Sequence, residues 1–243
     1  MSRFLFHPVL RERTRIVLPL EEAHHLRVER IKPSQSIFLS DGKGHLFQGV
    51  YLGKIEGKFW VEVLTLVKEE ERLQDLRIWQ SVLHSPTRMD WLVEKLTEIG
   101  ASEIGFFSAQ RSGDINFSVH KQVRWEKIVV NACKQSGRLF FPTVRYRESW
   151  KDLLETLRAF SGRIIVADLS AEEDLWYFLN THGESCSFLL VVGPEGDFTE
   201  KEKEELLSFP RAYSVRLTSH ILRSETASLF GASILRSFLD GRS

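Results

Sequence analysis

Two short segments in the last third of the chain hold residues able to do chemistry. In the first, Val191 to Glu202, an apolar run ending VV breaks on Gly193-Pro194-Glu195-Gly196 and resumes as Asp197-Phe198-Thr199-Glu200-Lys201-Glu202. Two glycines at such a break admit left-handed backbone or the close approach of a ligand, and Pro194 keeps Gly193 extended. Thr199 and Glu202 have the T-x-x-E spacing of a capping box that opens a helix. The second segment, Leu217 to Ala227, reads LTSHILRSETA and sets Arg223 and Glu225 on either side of Ser224. The guanidinium offers donors only, and the carboxylate offers an acceptor. Each segment has a plainer reading. A strand-to-helix turn often contains glycine, proline and a cap, and Arg223 and Glu225 could form a surface ion pair around Ser224 as N-cap.

Other chemistries lack their residues. The sequence contains no G-x-x-x-x-G-K-[ST] phosphate loop, no G-x-G-x-x-G after a strand, no H-E-x-x-H and no G-x-S-x-G elbow. The eight histidines form no ligand cluster, and His24 and His25 are adjacent and so do not share a helix face. Cys133 and Cys186 follow no C-x-x-C spacing, so buried thiols are expected rather than a disulfide or a zinc site. Metal-dependent hydrolysis is disfavoured, and no metal is expected.

The elements that must position these loops fall into two patterns. Up to about residue 68, short β-rich runs (Arg15 to Leu18, Ser36 to Ser40, His45 to Leu52, Phe59 to Leu64) are separated by glycine turns, with a short helix around Glu21 to Val28. This predicts a small barrel-like domain over residues 1–68. Lys68 to Asp75 is charged and suits a solvated connection. From residue 76 to 243 strands alternate with helices. Leu76 to Leu83, Ile164 to Val166, Phe188 to Val192 and Tyr213 to Leu217 read as strands. Helices are expected at Met89-Leu92-Leu96-Ile99 up to Gly100, around Trp125-Ile128-Val129-Ala132, and near residues 172–180, 200–207 and 226–239. Alternation of this kind predicts an α/β domain, a mostly parallel sheet with helices on both faces. Ligands in such folds sit outside the carboxyl ends of the strands, where both segments fall.

With 243 residues, 42% of them hydrophobic, the chain can build one large core or two small ones. Its 33 basic and 33 acidic residues balance, so no overall attraction to nucleic acid or membrane follows. Residues 1–67 are mildly basic, ten Lys or Arg against seven Asp or Glu, which is compatible both with an RNA-facing module and with an ordinary surface. No apolar stretch approaches the roughly 18 residues of a membrane span, and no signal peptide is read, so a cytoplasmic protein is expected.

Taken together and in this order, GPEGDFTEKE and LTSHILRSETA resemble the G-P-E-G-G-F-[ST]-x-x-E and L-G-x-R-I-L-R-x-E-T-A signatures of the RsmE family, 16S ribosomal RNA uridine N3-methyltransferases of the SPOUT superfamily. The likeness covers essentially the whole chain. Glu94 to Gly100 is similar to the family's Q-K-x-T-E-L-G helix, Arg111-Ser112 to its loop arginine, and Asn131 to Arg138 to its E-A-x-x-Q-S-x-R helix end. The N-terminal part resembles the family's PUA-like, RNA-binding domain. Three residues depart from the pattern: Asp197 for the second glycine of G-P-E-G-G, Thr218 for the glycine after Leu217, and His220 for an arginine. His84-Ser85-Pro86 stands where the family has P-K-G.

The resemblance implies a knotted SPOUT domain that binds S-adenosylmethionine in loops at the C-terminal end of the sheet, and a homodimer with its active site at the interface. It implies cofactor contacts from Leu169, Gly193, Pro194, Glu195, Gly196, Leu217, Thr218, His220, Ile221 and Leu222. Uracil N3 becomes nucleophilic on losing its proton, so Arg223 is expected to stabilise the delocalised anion, and Glu225 to accept the proton or orient Arg223. Arg3, Arg11, Arg13, Arg15, Arg27, Arg30, Arg111, Gln135 and Arg138 are the expected RNA contacts, with 16S ribosomal RNA or the small subunit as partner. Two alternatives stay open: another SPOUT RNA methyltransferase, acting on ribose 2′-oxygen or a different RNA, and an RNA-binding module that keeps the fold without catalysis.

Overall fold

The computed structural model describes residues 4–71, 74–113, 117–147, 149–182 and 187–242, so Arg3 and Cys186 lie outside the described residues. The chain forms two compact units, Met1–Arg72 with Val129–Phe141, and Leu73–Ile128 with Pro142–Ser243.

The first unit contains β1 (Leu5–Phe6), β2 (Thr14–Val17), α1 (Leu20–Val28), β3 (Ser36–Ser40), β4 (His45–Ile55) and β5 (Lys58–Glu69). They make a five-stranded sheet in the order β1-β3-β4-β5-β2. All pairs are antiparallel except β1 with β3. The turn between β4 and β5 is Glu56-Gly57, both at positive φ, as a two-residue hairpin whose twist matches its strands requires. Alternate residues of β4 and β5 enter a core with Leu26, Leu39, Val61 and Val63 at its centre. β5 continues through Lys68 and Glu69, past the end expected for it, because its charged residues remain paired with His45 and Leu46 of β4. The segment Val129–Phe141 is fixed within this unit by Lys134, whose Nζ donates to both carboxylate oxygens of Glu22 at 2.8 and 2.9 Å. Both side chains are buried, so removing either partner alone leaves an uncompensated charge.

The second unit alternates β6 (Asp75–Ser81), α2 (Pro86–Ile99), β7 (Glu103–Phe107), α3 (Val119–Ser136, whose last part belongs to the first unit), β8 (Thr143–Arg147), α4 (Trp150–Ala159), β9 (Arg163–Ala167), α5 (Leu175–His182), β10 (Ser187–Val192), α6 (Glu200–Leu207), β11 (Ala212–Val215) and α7 (Ser224–Asp240). The six strands form one sheet, β11-β9-β10-β6-β7-β8, with every pair parallel. Its faces are both covered. Leu189 and Val191 pack with Leu153, Leu157, Phe198 and Leu206, whereas Leu190 lies against Gly231 of α7, where a Cβ would come within 2.6 Å of it.

β7, β8 and α4 were not among the expected elements. All five residues of β7 are buried, so its pattern shows no alternation, and Gly105 interrupts it because the Trp79 ring occupies the place of a Cβ. From β6 the chain moves outward to β7 and β8, then crosses to β9 and fills in β10 beside β6. The order therefore reverses between β6 and β10, and this is where an open parallel sheet leaves a crevice at its carboxyl ends.

Candidate active site

At that crevice the loops after β9, β10 and β11 enclose a cleft of about 680 Å³. Leu169 lines it, as do Gly193, Pro194 and Glu195 from the second loop and Leu217, Thr218, His220, Ile221, Leu222 and Arg223 from the third. Gly196 is not on this lining. It faces Arg111, whose guanidinium donates to the Gly196 carbonyl at 3.0 Å. Arg88, Ala167, Asp168, Val192, Asp197, Ser224 and Ala227 complete the wall.

The second loop is shaped by sterics and by one turn. Neither Gly193 nor Gly196 adopts positive φ; that conformation falls to Asp197, at φ 60°. The family's glycine at this place is thus explained, and aspartate is one of the few other residues that enter the left-handed region readily. Its own Oδ1 accepts from the Phe198 amide at 2.7 Å, and its amide closes a turn onto Pro194 O at 3.0 Å. Thr218, the other departure from a family glycine, has no positive φ and needs none. Gly193 is required for a different reason: a Cβ there would lie 2.9 Å from the ring of Phe198, which is buried between Phe107 and Trp150. The capping box forms as expected, with Thr199 Oγ1 accepting from Glu202 N and Glu202 Oε2 accepting from Thr199 N at 2.8 Å.

Ser224 does not cap α7. Arg223 occupies the N-cap position, and the Ser224 hydroxyl instead donates to Gly193 O at 2.5 Å. Beneath it lies Gln80, wholly buried on β6, whose amide donates to Ser224 Oγ at 2.6 Å while its Oε1 accepts from Ser228 Oγ at 2.6 Å. One buried amide thereby fixes the start of α7 to the loop after β10. Polar residues at the carboxyl end of the strand, Gln80 and Ser81 directly after Ile78-Trp79, are the sequence signal for this network.

Charged groups are unevenly shared around the cleft. Arg223 is exposed, and among the described residues its guanidinium has no hydrogen-bond or ion-pair partner. Glu225 is buried and pairs with Arg88 Nη1 at 3.5 Å rather than with Arg223, so its expected role of orienting Arg223 is taken up by a different cation. The same Arg88 nitrogen lies 3.2 Å from Glu195. Among the described residues, Oε2 of Glu225 is buried without a hydrogen-bond partner. In the loop after β9, burial pushes the Asp168 carboxyl up, but hydrogen bonds from Ser170 and the charge of Lys203 outweigh it and hold the group below the usual carboxylate range.

The expected RNA contacts are distributed over both units. Arg11, Arg13, Arg15, Arg27, Arg30 and Gln135 are exposed residues of the first unit, and Arg138 is half-buried there. Arg15 is 3.4 Å from Glu62, and the Arg27 guanidinium sits 4.9 Å over the Phe59 ring. Arg111 belongs to the second unit, where it supports the Gly196 loop. Among the described residues no group of three or more His, Cys, Asp or Glu could hold a metal, and no helix is long and apolar enough to cross a membrane.

The cleft fits an adenosyl-sulfonium ligand in its donor set. It offers an apolar side from Val192, Leu217, Ile221, Leu222 and Ala227, backbone groups at Gly193 and Leu217 to Leu222, and carboxylates at Asp168, Glu195 and Asp197.

Comparison with known proteins agrees with these features. The family model described as an RNA methyltransferase domain matches residues 69–236, and an RNA methyltransferase PUA domain matches residues 18–64. Ribosomal RNA small subunit methyltransferase E of Bacillus subtilis (strain 168) is 28% identical over 223 residues, covering 88% of this chain and 87% of the relative. The protein of that name from Aquifex aeolicus (strain VF5) is 28% identical over 240 residues, covering 96% and 99%. Among solved structures, a ribosomal RNA small subunit methyltransferase E from Neisseria gonorrhoeae bound to S-adenosyl methionine superposes with a TM-score of 0.82 at 26% identity over 98% of this chain and 97% of that one. A predicted RNA methyltransferase from Thermotoga maritima gives 0.73 at 29% identity, covering 97% of each. With a PUA-like unit before a parallel α/β unit, and with the paired loops of the RsmE signatures at its cleft, the chain belongs to the RNA methyltransferase family.

Proposed function

We propose that the protein transfers a methyl group from S-adenosylmethionine to N3 of a uridine in 16S ribosomal RNA. The observation that carries this reading is the single cleft wall built jointly by Gly193-Pro194-Glu195 and Leu217 to Arg223 at the reversal of strand order. The cofactor-bound relative supports the choice of methyl donor. When bound, S-adenosylmethionine supplies a methyl group already activated by its sulfonium, and the protein's tasks are alignment and care of the acceptor's proton. Leu169, Ile221 and Leu222, which line the cleft, would hold the apolar parts of this ligand. The free guanidinium of Arg223 faces the cleft and stabilises the negative charge that spreads over both carbonyl oxygens of a uracil deprotonated at N3. Glu225 does not line the cleft; it stands behind the wall with one oxygen 3.5 Å from Arg88 Nη1, and its part is to hold that lining cation in place. The N-terminal arginines bind phosphate without reading sequence. A knotted backbone, a homodimer completed at the interface and a cytoplasmic location belong to the same reading.

Calorimetry with S-adenosylmethionine and mass mapping of 16S ribosomal RNA from cells with and without the protein test it. Loss of one N3-methyluridine in the deficient cells is expected, and an unchanged level would overturn the substrate. Arg223→Lys and Glu225→Gln are each expected to lower turnover by about 10²-fold or more while leaving cofactor affinity intact. Full turnover in both would remove the assigned roles.

A further inference from the structure

We infer that Lys203 is a positioning residue that ties two walls of the cleft together, and that Asp197, standing where the RsmE signature has glycine, supplies the second arm of the tie. The inference rests on the reading of the cleft as the S-adenosylmethionine site. Lys203 lies on the first turn of α6, and its Nζ is 3.0 Å from Asp197 Oδ2 and 3.3 Å from Asp168 Oδ1. Asp197 belongs to the loop after β10 and Asp168 to the loop after β9, and both line the cleft. Lys203 is 15% exposed and Asp168 10%, so their pairing is shielded from water far better than an ordinary surface ion pair.

Asp168 is itself immobilised. One of its oxygens accepts from the amide and hydroxyl of Ser170 at 2.9 and 2.7 Å, and the other from Ser214 Oγ at 3.1 Å. Asp197 is fixed at both ends of its side chain, by the Phe198 amide and by Lys203. A glycine at 197 would relieve the left-handed backbone but leave Lys203 with Asp168 alone. Aspartate keeps the conformation tolerable and adds the second arm. Lys203 is itself not on the lining, so the aspartate adds a crosslink behind the walls, between the loop after β9 and the loop after β10. The charges agree with this: Lys203 is held above the usual lysine range, because the two carboxylates outweigh the effect of its burial.

The test is calorimetric titration of the full-length chain with S-adenosylmethionine, unaltered and as Lys203→Met, Lys203→Arg, Asp197→Gly and the Asp197→Gly/Lys203→Met pair, with thermal melting of each as a control for folding. Lys203→Met is expected to raise Kd roughly threefold to tenfold, Lys203→Arg to restore most of the affinity, and the effect of Lys203→Met to shrink in the Asp197→Gly background. Binding by the unaltered chain with an unchanged Kd in Lys203→Met overturns the tie alone. An equal loss in both backgrounds overturns the part given to Asp197. Absence of binding by the unaltered chain overturns the cofactor reading and the tie with it.

Discussion

At the scale of single residues, the cleft shows how little space separates a functional loop from the core. A Cβ at Gly193 would lie 2.9 Å from the Phe198 ring, and Phe198 is stacked on Phe107. Gly193→Ala must displace a buried ring or the loop backbone, and overpacking of this kind costs about 1–3 kcal/mol. A lower urea midpoint together with weaker S-adenosylmethionine binding is the expected outcome, and an unaltered midpoint would show that the ring yields freely. Gly196→Ala is the contrasting case: its Cβ would meet only the Arg111 side chain at 3.5 Å, so stability should be retained. In the first unit His45 makes a second residue-scale prediction. The Asp41 carboxylate, 2.7 Å away, raises the imidazole above its ordinary value, with a further contribution from Glu69. A pKa raised on folding stabilises the protein below the unfolded value of about 6.5 and ceases to do so as pH rises through the folded value. The denaturation midpoint should therefore fall as pH rises from about 6.5, and His45→Asn should flatten that fall.

At the scale of elements, the loops are held less by their own sequence than by what lies under them. Gln80 on β6 connects the loop after β10 to the first turn of α7 through Ser224, and reaches Ser228 one turn later. Gln80→Leu keeps the volume but leaves the buried Ser228 hydroxyl without its acceptor and takes one donor from Ser224, which keeps its bond to Gly193 O; an unpaired buried group costs about 1–3 kcal/mol. Loss of stability of that order in urea, with impaired cofactor binding, is expected, and a neutral result would mean that Ser224 and Ser228 find other partners. The sequence made the capping box at Thr199 and the helix stop at Gly100 legible, because both depend on residues only a few positions apart. It did not disclose the Gln80 network, the Arg88 pairs with Glu195 and Glu225, or Lys203 between Asp168 and Asp197. Each joins residues far apart in the chain, and only the parallel register brings them to one end of the sheet. The unforeseen β7 has a different cause: a strand buried along its whole length loses the alternation that would announce it, whereas Thr143-Val144-Arg145-Tyr146-Arg147 of β8 does alternate and was legible.

At the scale of the whole molecule, a net charge of zero conceals an uneven distribution of charge. The basic excess lies in the N-terminal part, where Arg11, Arg13, Arg15, Arg27 and Arg30 are all exposed, while the cleft of the second unit is lined by three carboxylates with Arg88, His220 and Arg223. Affinity for RNA should then come from the first unit and chemistry from the second, and salt distinguishes the two. Every phosphate neutralised releases condensed counterions, so the logarithm of the binding constant falls with the logarithm of salt concentration by about 0.7 per contact on a single strand. Fluorescence anisotropy of a labelled 16S ribosomal RNA fragment across a potassium chloride series measures this slope. The Arg11→Ala/Arg30→Ala pair should reduce it by about 1.4, as two lost phosphate contacts require. Arg223→Lys should leave the slope unchanged, since it keeps its charge and acts on the base rather than the backbone. An undiminished slope in the Arg11/Arg30 pair would move RNA binding off the first unit and onto other cations of the chain.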